Sequence, residues 1–309
     1  MSGFLCITNL REVLKISKIK NKIVIMGLGK ISKEICLNII KKGSVAYGFT
    51  SNRERTYVLR NIGVKIFDIG SFDAVIQNAD SLVITAPPDK TGCPIISKHK
   101  KSIAHSGVSW IGYVSSTGVY GDYKGKVVNE KSILKSDASS SLSRLKAENI
   151  IKNFSLKSNK SLCIFRLSGI YGFERNIILQ ILNDKFVPIY KRNHFFNRIH
   201  EADIGRIIGS CAVSRNLEGI INLSDNKPAS QIEVAQYAYK LLGKKIPKIL
   251  NYEEVYKQLS PIRRSFWENS RKIDNSLLKN TFGKMIYPTY KEGLLDIHTS
   301  YLNNSSFKF

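Results

Sequence analysis

Apolar positions follow two different spacings along the chain from residue 21 onward. Short apolar runs, typical of buried strands, are separated by stretches whose apolar residues recur at helical spacing. Strands are predicted at 22–26, 44–49, 64–67, 81–85, 110–114 and 161–165, with a later one at 219–223. Helices are predicted at 30–42, 54–62, 71–78, 141–154, 177–183 and 203–213. Strands that alternate with helices indicate a parallel sheet covered by helices on both faces.

A glycine-rich turn joins the first predicted strand to the first predicted helix. It reads Gly27-Leu28-Gly29-Lys30-Ile31-Ser32, the pattern G-x-G-x-x-S. In a dinucleotide-binding turn the first glycine allows the bend, the second lets the backbone approach the pyrophosphate, and the small third residue lets the helix pack on the strand. These six residues are therefore predicted to bind a dinucleotide at a helix N-terminus. A glycine turn without a ligand is the alternative.

The end of the second predicted strand bears on the choice of dinucleotide. NAD sites usually have an acidic residue there, about 20 residues after the glycines. This chain instead reads Thr50-Ser51-Asn52-Arg53. Ser51, Asn52 and Arg53 are predicted cofactor contacts, and Arg53 suits the 2′-phosphate of NADP, so NADP(H) is predicted in preference to NAD(H). Arg53 as an ordinary surface cation is the alternative.

These patterns predict an α/β protein with a doubly wound parallel Rossmann sheet and a smaller, interleaved C-terminal substrate lobe. Residues 1–20 are predicted to form an N-terminal extension, and residues 21–169 an NAD(P)-binding Rossmann domain. Residues 170–309 are predicted to be mainly the substrate-binding lobe. Within them, residues 218–224 are predicted to return to the Rossmann sheet.

Composition and charge narrow the class of protein. The chain has 309 residues, of which 43% are hydrophobic, and a net charge of +24. The excess charge is mainly lysine spread along the whole chain, which favours a solvated surface over a nucleic-acid partner. The absence of a long apolar stretch and of a secretory signal predicts a cytoplasmic protein without a membrane partner. Five scattered cysteines without a C-x-x-C pair indicate neither a disulfide framework nor a metal site.

Three later segments carry more specific motifs. Residues 113–121 read Y-V-S-S-T-G-V-Y-G, residues 165–172 read F-R-L-S-G-I-Y-G, and residues 197–203 read N-R-I-H-E-A-D. In this order and spacing they resemble the S-S-x-x-V-Y-G, R-x-x-x-x-Y-G and N-R-I-H-x-x-D segments of the extended short-chain dehydrogenases/reductases. That superfamily contains the nucleotide-sugar epimerases and dehydratases. The resemblance covers most of the chain from Lys22 onward.

The resemblance implies a catalytic site that lacks its usual acid. Ser116 matches the family serine or threonine that binds the reacting oxygen of the substrate, and Lys146 matches the lysine of Y-x-x-x-K beside the nicotinamide ribose. The tyrosine of that motif is Leu142 here, and a leucine cannot transfer a proton. The chain is therefore similar to atypical family members that have lost this tyrosine. Thr117-Gly118 stands in place of the Asp-Glu pair of dehydratases, which argues against dehydration.

The resemblance also implies further contacts with the cofactor and the substrate. The additional predicted cofactor contacts are Asp68, Ile69, Thr85, Ala86, Pro87 and Lys146. A helix cap is the alternative role for Asp68, and a simple strand stop is the alternative for the prolines after Thr85. The predicted substrate contacts are Thr117, Tyr171, Arg198 and His200. His200 either replaces the tyrosine as acid/base or forms a structural hydrogen bond.

These predictions combine into two functional hypotheses. The first is an NAD(P)-dependent oxidoreductase or epimerase-like enzyme that acts on a sugar nucleotide or another small carbonyl or hydroxyl compound. The second is a non-catalytic NADP(H)-binding module that senses redox state and passes it to a partner. The resemblance also leads us to expect a homodimer.

Overall fold

The structure, a computed structural model, describes residues 20–50, 56–136 and 138–303. The predicted N-terminal extension, apart from Lys20, and the predicted cofactor contacts Ser51, Asn52 and Arg53 lie outside the described residues.

Strands and helices alternate along the described residues. The strands are β1 (Lys22–Met26), β2 (Val45–Phe49), β3 (Lys65–Phe67), β4 (Ser81–Ile84), β5 (Trp110–Ser116), β6 (Val127–Val128), β7 (Ser161–Leu167), β8 (Gly169–Tyr171), β9 (Ile189–Tyr190), β10 (Arg198–His200), β11 (Gly219–Leu223), β12 (Leu250–Asn251) and β13 (Lys272–Ile273). The helices are α1 (Ser32–Lys41), α2 (Thr56–Asn61), α3 (Phe72–Ile76), α4 (Pro94–Ala104), α5 (Ser139–Ser158), α6 (Ile177–Leu182), α7 (Glu201–Ser214), α8 (Gln231–Leu241), α9 (Tyr252–Val255), α10 (Pro261–Glu268), α11 (Ser276–Phe282) and α12 (Tyr290–Leu302).

The central sheet is parallel and has seven strands, in the order β11-β7-β5-β4-β1-β2-β3. The predicted doubly wound Rossmann sheet is therefore confirmed. The strand order reverses between β1 and β4, and in such sheets ligands bind in the crevice at the carboxyl ends of the strands beside that point. Strand β11 pairs with β7, from Gly219 opposite Cys163 to Leu223 opposite Leu167, so the chain returns to the first sheet after entering the lobe.

Helices cover both faces of the sheet because its strands are apolar on both sides. One face packs against α1 and α7 through residues such as Ile35 and Ile207. The other face packs against α3, α4 and α5 through residues such as Phe72 and Ile151. Helices α1 and α7 approach closely, because a Cβ atom on Gly205 would lie 2.6 Å from the backbone of Glu34.

The C-terminal lobe has its own apolar cluster, built on α6, α8 and α12. Two short parallel pairs, β8 with β10 and β9 with β12, connect its segments, and a third pair joins β13 of the lobe to β6. The pairing of β8 with β10 continues directly from the end of β7, so the lobe is attached beside the carboxyl end of the central sheet. Within the described ranges, none of the helices is both long and apolar enough to cross a membrane.

Candidate cofactor and substrate site

The glycine turn lies at the crevice between β1 and β4, clamped between neighbouring strand ends. The Gly27 amide donates to the carbonyl of Phe49 at the end of β2 (3.1 Å). Gly27 has φ of +98°, and a Cβ atom there would lie 2.6 Å from the amide nitrogen of Ala86. Both the backbone conformation and the close contact therefore require glycine.

Two hydroxyl groups hold the turn from inside. The Ser32 hydroxyl donates to the carbonyl of Gly27 (2.8 Å), and the Thr85 hydroxyl donates to the same oxygen. Ser32 is fully buried, as is Leu28, which packs against Gly48. Serine at the third position of the pattern thus stays small enough for helix packing and adds a hydrogen bond that glycine could not make.

The outer side of the turn is open. Gly29 and Lys30 are exposed, and a Cβ atom on Gly29 would meet no other atom within 4 Å. The amides of Lys30 and Ile31 donate to no backbone carbonyl in the described ranges. They precede the first residue of α1, where the helix dipole is positive. This arrangement fits an anion such as a pyrophosphate at Gly29.

Other predicted cofactor contacts lie along the same edge of the sheet. Asp68 and Ile69 follow β3 and are exposed, and the Asp68 side chain forms no helix-capping hydrogen bond. Thr85, Ala86 and Pro87 follow β4, directly beside the glycine turn. Because β3, β2, β1 and β4 are successive neighbours, these residues extend the open edge on both sides of Gly29.

Ser116 lies at the carboxyl end of β5, and the hydroxyl group of a second serine lies near it. The Oγ of Ser116 accepts a hydrogen bond from the amide of Gly118 (3.0 Å). A Cβ atom on Gly118 would lie 3.2 Å from Ser116 Oγ and 2.9 Å from Ser141 Oγ, which belongs to the first turn of α5. Sequence reasoning missed Ser141, because its only signal was its position before Leu142.

Helix α5 presents Leu142 and Lys146 one turn apart on one face. Lys146 is exposed, and its Nζ donates to the carbonyl of Lys90 in the loop after β4 (3.2 Å). Leu142 is 48% exposed. The lysine therefore reaches the loop that flanks the cofactor edge, while the position of the family tyrosine carries an apolar group in contact with solvent.

Three of the predicted substrate contacts have structural partners. The Thr117 hydroxyl donates to the carbonyl of Leu167 (3.3 Å). Tyr171 is buried against Gly293 of α12, and burial raises the pKa of its hydroxyl. His200 is buried too, and its Nδ1 accepts from the amide of Ala202 as the cap of α7 (3.1 Å). All three side chains are buried, and their contact with a substrate stays a prediction.

Burial also argues against His200 as an acid/base. It lowers the pKa of His200 to about 4, so the ring is neutral near pH 7. Its Nε2 is buried without a hydrogen-bond partner in the described part of the chain. The structural alternative stated for His200 matches this geometry better than proton transfer does.

Arg198 is oriented into the lobe. Its guanidinium donates to the carbonyls of Phe196 (3.0 Å) and Ala229 (3.2 Å), and burial lowers its pKa. Asp225 lies nearby, and burial raises the pKa of its carboxyl group to about 7 despite a hydrogen bond from the amide of Lys227. Arg198 is half-buried, and its guanidinium donates to backbone carbonyls of the lobe.

The motif at residues 197–203 connects segments of the lobe through hydrogen bonds. The Asn197 side chain donates to the carbonyl of Arg271 (2.9 Å) and accepts from the amide of Ile273 (2.8 Å). Both Asp203 carboxylate oxygens accept backbone amides just before α12, at residues 286 and 287 (2.9 Å each). The polar residues of this motif therefore have architectural roles in this chain.

A buried ion pair links the other two motifs. Arg166 of β7 and Glu148 of α5 are both about 1% exposed and form a bidentate pair, with 2.7 Å between Nη2 and Oε2. Ser115 donates to Glu148 (2.6 Å), and Arg166 donates to the hydroxyl of Tyr120 (3.1 Å). Glu148 was missed by the sequence analysis, although it falls on the sheet-facing side of α5 where a charge is unusual.

No protein-family model and no curated protein matches the sequence, but many solved structures resemble the chain. A conserved protein of unknown function from Silicibacter pomeroyi DSS is 26% identical, with a TM-score of 0.84 over 91% of this chain and 99% of that chain. A dTDP-glucose 4,6-dehydratase from Bacillus anthracis, solved with NAD, is 17% identical, with a TM-score of 0.74 over 93% and 98%. A human epimerase family protein, solved with NADPH, is 14% identical, with a TM-score of 0.69 over 90% and 99%. The chain therefore has the fold of the NAD-dependent epimerases and dehydratases, the extended short-chain dehydrogenases/reductases that its motifs resemble.

Proposed function

We propose that the chain is an NADP(H)-dependent oxidoreductase or epimerase-like enzyme that acts on a sugar nucleotide or another small carbonyl or hydroxyl compound. The observation that carries the proposal is the open, pre-formed turn at Gly29. It lies at the N-terminus of α1 and on the same sheet edge as Ser116. The solved structures with NAD or NADPH named above have this fold and support a nicotinamide cofactor.

Different residues would bind different parts of such a cofactor. Gly29 and the amides before α1 would bind the pyrophosphate, and the edge after β3 at Asp68 and Ile69 would bind the adenosine. Lys146 would bind the nicotinamide ribose. Arg53, which lies outside the described residues, would bind the 2′-phosphate of NADP. When bound, the cofactor would donate or accept a hydride, and the protein orients it.

Ser116 and Ser141 would bind the substrate. Their hydroxyls lie on either side of Gly118, and each would donate a hydrogen bond to the same substrate oxygen. Hydrogen bonds to a carbonyl oxygen stabilise the negative charge that develops as a hydride arrives. Leu142 supplies no proton to that oxygen. The proton must come from solvent, so we expect slow turnover compared with an enzyme that has the tyrosine.

The exposed Leu142 also favours a second candidate function. A non-catalytic module needs the cofactor turn, Lys146 and a fold that responds to the bound cofactor, but no acid. Such a redox sensor would bind NADPH and NADP⁺ without converting any substrate. The two candidates differ at Ser116, which the enzyme requires and the sensor does not.

The decisive test begins with cofactor binding. NADPH and NADH are titrated into the purified protein while energy transfer from Trp110 and Trp267 to the reduced nicotinamide is followed. We expect tighter binding of NADPH, and a loss of that preference in Arg53→Ala. Arg60→Ala, which removes an exposed arginine from α2, is the matched control and should bind as the wild type does. If neither nucleotide binds, both candidate functions are wrong.

Turnover then separates the two candidates. NADPH- or NADP⁺-dependent conversion is measured on a panel of sugar nucleotides, small ketones and alcohols. The enzyme predicts conversion of at least one compound and its loss in Ser116→Ala, with cofactor affinity unchanged. Conversion that survives in Ser116→Ala would show that this serine is not catalytic. Tight cofactor binding without any conversion would favour the sensor.

A further inference from the structure

A concave, basic surface lies on the C-terminal lobe. It is bounded by α8, by the first turn of α12 and by the turn after β11, and its volume is about 340 Å³. Volumes of about 300–1,000 Å³ are usual for sites that bind small molecules. We call it the lysine pocket and define it by Lys227, Lys240, Lys291, Tyr237 and Tyr290.

Two of the three lysines of the pocket lie close to a tyrosine ring. Lys227 Nζ lies 5.8 Å from the ring centre of Tyr290, and Lys291 Nζ lies 5.7 Å from that of Tyr237. In the residues that the structure describes, none of the pocket ammonium groups forms an ion pair within 4 Å. Three cations that line one concavity repel each other, and a bound anion would relieve this repulsion.

The nearby carboxylates are committed elsewhere. Glu233 borders the pocket, but its carboxylate accepts the amide (2.9 Å) and hydroxyl (3.0 Å) of Ser230 as part of the capping box of α8. Glu292 caps α12 through Thr289 in the same way. Their charges lower the positive potential of the pocket, and in both residues the capping hydrogen bonds go to one carboxylate oxygen, Oε2.

Two further positive features lie at or near the pocket. The half-buried Arg198 guanidinium lies 5.8 Å from the ring centre of Tyr290, which lines the pocket. Lys291 occupies the first turn of α12, where the positive end of the helix dipole disfavours a cation. A lysine in that position is locally unfavourable, and an anion in the pocket would interact well with both the ammonium and the dipole.

We propose that the lysine pocket binds a small phosphorylated molecule that carries a ring, such as a sugar phosphate or a nucleoside monophosphate. A phosphate monoester has close to two negative charges near neutral pH and several strong acceptors, which suits three lysines. Tyr237 is half-buried, so part of its ring remains available to pack against a sugar or a base. The concavity is open to solvent, and its volume of about 340 Å³ matches the size of a small ligand.

Calorimetric titration of the full-length protein tests this proposal with three probes: glucose 6-phosphate, adenosine monophosphate and inorganic phosphate. We expect one molecule of a ring-bearing probe to bind per chain, at least tenfold more tightly than inorganic phosphate. Lys240→Gln combined with Lys291→Gln should weaken that binding at least tenfold. Tyr237→Ala should remove the preference for a ring, and the preferred probe tells whether the ring is a sugar or a base.

The matched control removes the same charge elsewhere. Lys100→Gln combined with Lys101→Gln changes two exposed lysines on α4, and binding should stay within twofold of the wild type. Equal weakening by both double variants would overturn the proposal, since it would indicate non-specific attraction to a basic protein. Absence of binding for all three probes, or pocket-dependent binding of DNA alone, would also overturn it. Titration of NADPH into the pocket variant, expected to match the wild type, keeps this result separate from the proposed cofactor function.

Discussion

The two glycines of the cofactor turn should respond to alanine in opposite ways. Gly27 has φ of +98°, and its Cβ would lie 2.6 Å from the backbone of Ala86. Gly29 has neither constraint, since its Cβ would meet open space. Gly27→Ala should therefore damage the fold, whereas Gly29→Ala should damage only the binding of a ligand that approaches this open side.

The expected changes in the free energy of unfolding follow from the backbone conformation and the surroundings of each glycine. A non-glycine residue held in a sparsely populated backbone region costs about 1–3 kcal/mol, and relief of an overlap with backbone adds about 1–3 kcal/mol. Gly27→Ala should therefore lower the free energy of unfolding by about 2–6 kcal/mol. Gly29→Ala should leave it unchanged or raise it by about 0.4–1 kcal/mol, because alanine reduces the entropy of the unfolded chain.

Gly43→Ala separates the cost of the backbone conformation from the cost of the steric overlap. Gly43 follows α1 with φ of +78°, but its Cβ would meet no atom within 4 Å. Gly43→Ala should therefore lower the free energy of unfolding only by the backbone term of about 1–3 kcal/mol. The midpoint of thermal unfolding, followed by circular dichroism, should fall in the order Gly29→Ala, Gly43→Ala, Gly27→Ala, from highest to lowest.

Fluorescence titration with NADPH completes the experiment. Gly29→Ala should bind at least tenfold more weakly than the wild type while it unfolds at the same temperature or higher. If it binds NADPH as the wild type does, the open side of the turn is not the phosphate site. If Gly27→Ala unfolds at the wild-type temperature, the close contact with Ala86 is not present in solution.

Three further predictions concern α5 and the buried charges. Leu142→Tyr should change the free energy of unfolding by no more than about 0.5 kcal/mol, since the side chain is half-exposed. It should also raise turnover of any substrate found by about 10²–10⁴-fold, and an unchanged rate would place Lys146 out of register. Arg166→Met should lower the free energy of unfolding by about 3–5 kcal/mol in urea denaturation, because it strands the buried charge of Glu148; a change below 1 kcal/mol would contradict this. Burial lowers the pKa of His200 to about 4, so its contribution to the free energy of unfolding is present above the unfolded pKa of about 6.5 and is lost as pH falls toward 4. His200→Gln should therefore reduce the acid sensitivity of thermal unfolding between these pH values. An unaltered pH profile would refute this prediction.

Much of the sheet could be predicted because its strands are buried on both faces. Continuous apolar runs such as 22–26 and 219–223 match β1 and β11 residue for residue. Helix ends were harder to predict. Helix α5 was predicted over 141–154 but spans Ser139–Ser158, because it ends only where Asn159 adopts a left-handed conformation with φ of 50°. Asparagine tolerates that conformation, and nothing in the apolar spacing reveals it.

The candidate site was only partly predictable, for a physical reason. Motifs identify which residues matter, but the same residue type serves a ligand or the fold according to its burial. Gly29 faces open space and Ser116 is half-buried, whereas His200 and Tyr171 are buried against α12 and its neighbours. Sequence spacing does not show which side chains the lobe covers. It also gave no indication that the lysine pocket gathers residues 227, 240 and 291 from separate segments.

The same division indicates how little position 142 contributes to holding the fold. Polar contacts between α5 and the sheet run through Glu148, whose carboxylate joins Ser115 and Arg166, and through Arg144, which donates to the carbonyl of Val114 (2.7 Å). Position 142 lies outside this network, and its side chain is half-exposed. A change from tyrosine to leucine therefore removes a proton-transferring group without removing a contact that holds the fold. Fold stability places little constraint on the residue at position 142. The remaining constraint on that residue is the chemistry that the cleft must perform.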